Sequence, residues 1–360
     1  MARMRVGLVG CGNIAGRYAE SIAAADGLEL VAATDALPGR AEELVARHGG
    51  TAYASLDELL ADPSVDTVVN LTGAVAHVAV TRAALEAGKH VHSEKPLALR
   101  HGDARGLVEL ADERGLGLSS SPATLLGEAQ QTMWRLVRDG AIGTVRVAYA
   151  EANWGPIESW HPDPTTIHAA GAMADVGVYP IAILTAMFGP ARSATAYATT
   201  LVPDRFDLRG TPFSIETPDF IVALLELESG VVTRVTASFY VGPSYQRGIE
   251  LHGDDGILHL AAWGDFSSGL LHSSTGNADD YEEVALLRPG YEGTDWSRAI
   301  VDLAAAVEEG RRPRASGEHA AHVVEILDAI DASRRHGGPV AITSSFTRPK
   351  PLPWAVGREG

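Results

Sequence analysis

The apolar run from Arg5 to Gly10 ends in Gly10-Cys11-Gly12-Asn13-Ile14-Ala15-Gly16, and a helical pattern with Tyr18 and Ile22 on one face follows at once. Strand, glycine turn and helix in that order leave few folds open. Gly10 permits the tight turn, Gly12 lets a pyrophosphate approach the backbone, and Ala15 or Gly16 keeps the helix close to the strand. The positive end of the helix dipole and its unpaired amides then face phosphate oxygens. The turn therefore predicts a dinucleotide cradle built from Gly10, Gly12, Asn13 and Ile14.

The context extends this expectation. A second apolar strand, Leu28 to Thr34, ends at Asp35, nineteen residues after Gly16, where a carboxylate can accept hydrogen bonds from ribose hydroxyls. The same charge repels a 2′-phosphate, which predicts NAD over NADP. Arg40 lies close enough in sequence to keep dual use open. Helical patterns at Arg40–His48, Leu56–Asp62 and Val78–Ala87 alternate with extended ones at Val65–Leu71 and His90–Ser93. Such alternation implies a doubly wound parallel sheet with ligands beyond the carboxyl ends of its strands. Asn70, Thr72, His77 and Glu94-Lys95-Pro96 fall at those ends and are expected to ring one crevice. For His77 two readings stand: contact with a ligand, or a helix-start histidine that satisfies backbone groups.

Lysine is scarce: Lys89, Lys95 and Lys350 are the lysines among 29 basic side chains. An ammonium kept at a strand end suggests a task that guanidinium performs poorly. At 360 residues two domains are expected, a dinucleotide-binding one at 1–122 and a substrate-binding and oligomerisation one at 123–360. The 46 acidic residues give a net charge of −17, which opposes binding to nucleic acid or an anionic membrane. A lone cysteine, Cys11, fits a reducing cytoplasm. The 13 histidines show no metal-ligand spacing, so no metal is expected. No apolar leader or membrane-length stretch is seen.

Beyond residue 122 the pattern changes to a helix at Glu128–Arg138, helical segments at 173–187 and 295–310, and long alternating runs such as Val145–Asn153 and Asp219–Leu227. This predicts an α+β domain on a large open, predominantly antiparallel sheet. If residues 173 to 179 are helical, Asp175 and Tyr179 share a face one turn apart. Gly177 and Pro180 oppose a regular helix there, and Asp175 also reads as a helix cap. The tail from Thr347, with prolines at 349, 351 and 353, is expected to run extended over the surface or a neighbouring subunit.

Several segments occur in one order: the glycine turn at Gly10, Asp66-Thr67-Val68-Val69-Asn70, Ala84 to Val91, Glu94-Lys95-Pro96, Gly171 to Pro180, and Ser316 to Ala321. In this they resemble the Gfo/Idh/MocA family of NAD(P)-dependent oxidoreductases, over roughly residues 3 to 345. The resemblance implies NAD, or NADP, as cofactor, a sugar, cyclitol or related polyol as substrate, and a homodimer or homotetramer joined through the C-terminal sheet. Departures exist. Thr72-Gly73-Ala74 stands where the family often has threonine-proline-asparagine, Ala169-Ala170-Gly171 replaces a glycine cluster, and Tyr179 stands where many members carry histidine.

Within that resemblance, oxidation of a secondary alcohol needs a base beside the hydroxyl that loses hydride. Tyr179, a phenol that titrates near ~10 in water, needs a cation such as Lys95 to serve. Asp175 either orients Lys95 or takes the proton itself. Lys95, Asp175 and Tyr179 are thus the catalytic candidates, and these three are also expected to touch substrate. Asn153, Trp154, Trp160, His161, Asp163 and His168 are the further substrate candidates, because aromatic faces and polar side chains suit a polyhydroxylated ring. Tryptophans in a proline-rich loop also serve simply to pack. Two other functions remain in view, an NADP-linked reductase of keto-sugars or nucleotide sugars and a non-catalytic dinucleotide sensor.

Overall fold

A computed structural model describes residues 3–242, 244–274 and 280–356. Met1, Ala2 and the last four residues of the proline-bearing tail lie outside the described residues. The chain divides into two compact units, Met1–Ala123 with Asp295–Val324, and Thr124–Thr294 with Glu325–Gly360.

In the first unit β1 (Met4–Val9), α1 (Ala15–Ala24), β2 (Leu28–Thr34), α2 (Arg40–His48), β3 (Thr51–Tyr53), α3 (Leu56–Ala61), β4 (Thr67–Asn70), α4 (His77–Glu86), β5 (His90–Ser93), α5 (His101–Arg114) and β6 (Leu118–Ser120) alternate. The six strands are parallel in the order β3-β2-β1-β4-β5-β6, the doubly wound arrangement, whose order reverses between β1 and β4. Alternation of side chains along each strand feeds two apolar layers. Val6 and Leu8 of β1 pack with Tyr18, Ala19 and Ile22 of α1. On the other face Val68 and Val91 pack with Leu59, Leu85 and Leu107.

Two later helices complete those layers. Ile300 of α9 (Arg298–Glu309) joins the α1 layer, and Ala321 and Val324 of α10 (Gly317–His336) join the other. The helix expected at 295–310 therefore forms, yet it clusters with the first unit. Lys89 has a structural task, because its buried Nζ donates to the carbonyls of Asp62 and Val65, both at 2.8 Å.

The second unit contains α6 (Glu128–Arg138), β7 (Val145–Asn153), α7 (Pro164–Ala170), α8 (Val178–Phe188) and strands β8 (Ala191–Thr199), β9 (Asp204–Phe206), β10 (Pro212–Ser214), β11 (Phe220–Leu227), β12 (Val232–Ser238), β13 (Gly248–Gly253), β14 (Gly256–Leu260), β15 (Leu270–Ser273), β16 (Glu282–Glu283) and β17 (Val340–Ala341). Nine of these form one sheet in the order β16-β15-β14-β13-β7-β12-β11-β8-β17, antiparallel throughout except for the pair β7 and β12. One face is core: Ala148, Ala150, Ala223, Leu225, Val235, Leu251 and Leu258 are fully buried. The other face presents Tyr149, Tyr197, Leu224 and Val232 to solvent, with Leu224, Arg234 and Tyr149 side by side in register.

The tail is held by its own unit. Leu352 N donates to Gln131 Oε1 at 2.9 Å, Arg138 Nη2 donates to the Ala355 carbonyl at 2.6 Å, and the Arg288 guanidinium lies 4.0 Å from the centre of the Trp354 ring. Among the described residues no single helix is long and apolar enough to cross a membrane, and no group of three potential metal ligands gathers.

Candidate active site

The glycine turn divides its labour unevenly. Gly10 has φ +95°, and a Cβ there would lie 2.8 Å from the Leu71 carbonyl carbon, so only glycine fits. A Cβ on Gly12 or Gly16 would meet nothing within 4 Å, whereas Ala15 is completely buried. Close packing of helix on strand thus falls to Ala15, and Gly12 leaves open space beside the start of α1. That start has Ile14 as its cap residue, with no side-chain cap and no acidic residue in the first turn. Its amides are therefore presented in the manner that suits an anion.

Asp35 stands at the end of β2 and grips this turn. Its Oδ2 accepts from Cys11 N at 2.6 Å and its Oδ1 from Leu37 N at 2.7 Å. Each oxygen retains capacity for a further donor. Burial, and then the Asp35 charge, push the Cys11 thiol up to about 12, so it is an unreactive neutral group at physiological pH.

At the end of β4, Asn70 Oδ1 accepts from Thr72 N at 3.2 Å and from Thr72 Oγ1 at 2.6 Å, and its Nδ2 donates to the His77 carbonyl and to Thr81 Oγ1, both at 3.1 Å. His77 is buried, with Nδ1 2.7 Å from the Pro96 carbonyl and Nε2 2.9 Å from the Thr72 carbonyl. Each ring nitrogen of His77 thus faces a backbone carbonyl. The ring ties the turn after β4 to the turn after β5.

That second turn carries Glu94 and Lys95, with a cis Lys95–Pro96 bond. Glu94 is buried: Oε1 accepts from Tyr18 OH at 2.6 Å and Ser121 Oγ at 3.1 Å, and Oε2 accepts from Lys95 N at 3.0 Å. Ser121 Oγ also lies 3.4 Å from Nε2 of His92, whose Nδ1 is 2.9 Å from Ser119 Oγ. Burial pulls His92 down to about 4, which keeps its ring neutral near pH 7. Tyr18, His92, Ser119 and Ser121 carry no local sequence signal for this role, since the fold gathers them from three elements.

In the second unit residues Met173–Gly177 form a π-helical turn that runs into α8. Pro180 is the third residue of α8, directly after this wide turn. A Cβ on Gly177 would lie 2.3 Å from Met173 Sδ and 3.1 Å from Ala237 Cβ, so a larger residue there would displace the Met173 side chain. Throughout residues 171–188 every position is buried except Ala174, Asp175 and Tyr179. The wide turn thus brings Asp175 and Tyr179 to the one accessible patch of an otherwise enclosed segment.

An aromatic row leads away from that patch. The Tyr179 ring lies 4.7 Å from Trp263, Trp263 lies 5.8 Å from Trp154, and Trp154 lies 6.4 Å from Trp160, measured between ring centres. Trp263 Nε1 donates to the Glu151 carbonyl at 3.1 Å, which fixes the middle of the row. Beside Trp154 and Trp160 opens a cavity of about 510 Å³ lined also by Glu151, Asn153, Gln246 and Arg247. Glu151 accepts from Arg234 Nη2 at 2.6 Å and from Asn153 Nδ2 at 3.1 Å.

Asn153, Trp154 and Trp160 therefore meet as expected of neighbours in a site, with His161 edge-on to Trp160 at 5.4 Å. Asp163 caps α7, accepting from Thr166 N at 3.4 Å. His168 is buried between Phe213 and Phe239, and its Nε2 lies 3.1 Å from Glu158 Oε2 in a network that continues through Arg205 to Asp219. Burial lowers its pKa, so its ring is neutral near pH 7. Glu151 was accessible to sequence reasoning through its two-residue spacing from Asn153 on one strand face. Trp263, Gln246 and Arg247 were not, because distant loops bring them in.

The chain is similar to known proteins along most of its length. The family described as "Oxidoreductase family, NAD-binding Rossmann fold" matches residues 4–121, and the "GFO/IDH/MocA C-terminal domain" matches residues 130–259. The chain is 34% identical over 190 residues to a dTDP-3,4-didehydro-2,6-dideoxy-alpha-D-glucose 3-reductase of Streptomyces violaceoruber, a match over 52% of this chain and 55% of that enzyme, so it spans about half of that relative's length. An enzyme of the same description from Actinomadura kijaniata is 28% identical over 338 residues, 92% of this chain and 96% of that one. Levoglucosan dehydrogenase in complex with NADH and L-sorbose superposes with a TM-score of 0.82 at 21% identity, over 96% of this chain and 100% of that one, a likeness of fold alone.

Proposed function

Because the chain belongs to the Gfo/Idh/MocA family of oxidoreductases, whose first domain is an NAD-binding Rossmann fold, we propose that it transfers hydride between a ring secondary alcohol of a sugar, glycoside or cyclitol and NAD. The observation that carries this reading is the accessible pair Asp175 and Tyr179, set in a buried segment and followed by an aromatic row to a largely apolar cavity.

The first unit fits a dinucleotide. Gly12 leaves room for phosphate, the start of α1 presents amides, and Asp35 holds carboxylate oxygens at the end of β2, where ribose hydroxyls bind in such folds. The nicotinamide, when bound, accepts hydride in oxidation and donates it in reduction. Lys95 supplies positive charge that stabilises the alkoxide character of the substrate oxygen, or polarises the carbonyl in reduction. Asp175 and Tyr179 handle the hydroxyl proton, and Trp263 holds the phenol ring in place.

A second reading, an NADP-linked reductase of keto-nucleotide-sugars, draws on the names of the Streptomyces and Actinomadura relatives. One experiment separates them. Purified protein is mixed with NAD or NADP and a panel of sugars, glycosides and inositols, or with NADPH and a keto-nucleotide-sugar, and the absorbance of reduced nicotinamide is followed. Oxidation of a polyol with NAD supports the proposal. Reduction of the nucleotide sugar alone overturns it, and cofactor binding without any turnover favours a sensor.

A further inference from the structure

The cavity beside Trp154 and Trp160 is larger than one reacting ring requires and is offset from the proton-transfer pair. Its volume of about 510 Å³ lies within the range of whole small-molecule sites, about 300–1,000 Å³. Trp154 is separated from Tyr179 by a single ring, that of Trp263, with centre-to-centre steps of 5.8 and 4.7 Å. A ring whose hydroxyl reacts at Tyr179 therefore leaves this cavity free, one ring's length further along.

Its lining says what it takes. Trp154 and Trp160 expose 47% and 49% of their surface, an unusual amount for two adjacent indoles, and stand edge to face as a platform. Asn153 is held by Glu151, to which its Nδ2 donates at 3.1 Å. Glu151 is neutralised by Arg234, which leaves Arg247 as the cationic side chain of the lining.

We infer that this cavity is a subsite for a second sugar ring, so that the substrate is a two-ring glycoside or disaccharide. A pyranose brings C–H faces for the indoles and hydroxyls for the side chains of Gln246 and Arg247. The inference rests on the sugar-oxidoreductase reading above and adds the size and class of its substrate.

The test compares disaccharides, methyl glycosides and free hexoses of gluco, galacto and manno configuration, each with NAD and with NADP. The best two-ring sugar should exceed its one-ring component in kcat/KM by at least about tenfold, chiefly through KM. Trp160→Ala should bring that ratio close to one, and Trp160→Phe, which keeps a ring, should retain most of it; matching melting temperatures establish that both variants fold. Equal kcat/KM for one and two rings overturns the subsite while leaving the oxidoreductase reading intact. Absence of turnover with every sugar strikes the oxidoreductase reading instead. Indole fluorescence, titrated with the same sugars, then decides the subsite: quenching by disaccharides in preference to hexoses supports it, and stronger quenching by a nucleotide sugar, or none, overturns it.

Discussion

The Tyr18 hydroxyl donates a 2.6 Å hydrogen bond to Oε1 of Glu94, across 76 residues of sequence. Glu94 in turn accepts from Lys95 N, so a helix of the first layer sets the backbone that carries the candidate catalytic lysine. Tyr18→Phe keeps the ring packed on Trp296 and removes only the donor. The variant should lose about 1–3 kcal/mol of stability in urea unfolding. Its kcat should fall more than its NAD affinity, because the cradle is separate from this bond. Wild-type stability together with wild-type kcat would remove the positioning role.

Lys95→Ala should lower kcat by about 100- to 10,000-fold, the range of a general acid–base group, with NAD affinity little changed. Lys95→Arg should not restore it, since a planar guanidinium is bulkier and holds its charge differently. Comparing Tyr179→Phe with Asp175→Asn in pH profiles of kcat/KM assigns the proton: the variant that loses a limb of the profile is the acceptor. Unaltered turnover in Lys95→Ala would refute the chemistry proposed for it.

Asp35 has two tasks, and one substitution separates them. Asp35→Ser removes the charge that disfavours a 2′-phosphate, so the ratio of kcat/KM with NADP to that with NAD should rise by at least about tenfold. The same change removes the acceptor of Cys11 N and should lower the melting temperature. A wild-type protein that already prefers NADP by that margin would contradict the ribose assignment.

Two buried histidines make the fold sensitive to mild acid. Burial lowers His92 to about 4 and His319 to about 3, from 6.5. Both native pKa values lie below the unfolded one, so the unfolded chain binds the extra protons as pH falls. The associated stability is complete above about pH 6.5 and is lost progressively down to about pH 4 for His92 and about pH 3 for His319. Each group contributes a slope of up to about 1.4 kcal/mol per pH unit within its window. Denaturant unfolding at pH 8, 7, 6 and 5 measures it, and a flat curve between pH 7 and 5 would be the wrong outcome.

The open sheet face bears the exposed side chains of Tyr149, Tyr197, Leu224 and Val232. We propose that a second copy covers it, giving a dimer or tetramer. Sedimentation of the wild type should show such an assembly, and Leu224→Glu with Tyr197→Asp should shift it toward monomer. A wild-type monomer at micromolar concentration would exclude this.

Local patterning made the first unit legible. Short apolar runs in β1 and β2, a period of 3.6 in α1 and α2, and a glycine forced to positive φ at Gly10 are all written in neighbouring residues. The site was legible to the extent that it sits at strand ends, as Asn70, Thr72 and Lys95 do. What the pattern did not carry are pairings that depend on tertiary packing. His77 sits between two backbone carbonyls, His168 is engaged with Glu158, and Trp263 joins Trp154 to Tyr179 from more than eighty residues away. Nor did periodicity foretell the π-helical turn at Asp175, where Gly177 faces Met173 and Ala237.

Ile300, Ala321 and Val324 complete apolar layers begun by β1 and β4 more than two hundred residues earlier. A ribosome must therefore release almost the whole polypeptide before the nucleotide-binding half can close, and the large sheet of the other half emerges while the first still lacks its final helices. Truncation after residue 123 should yield an aggregating fragment instead of a free-standing cofactor module, whereas grafting 295–324 onto it through a short linker should restore a soluble one.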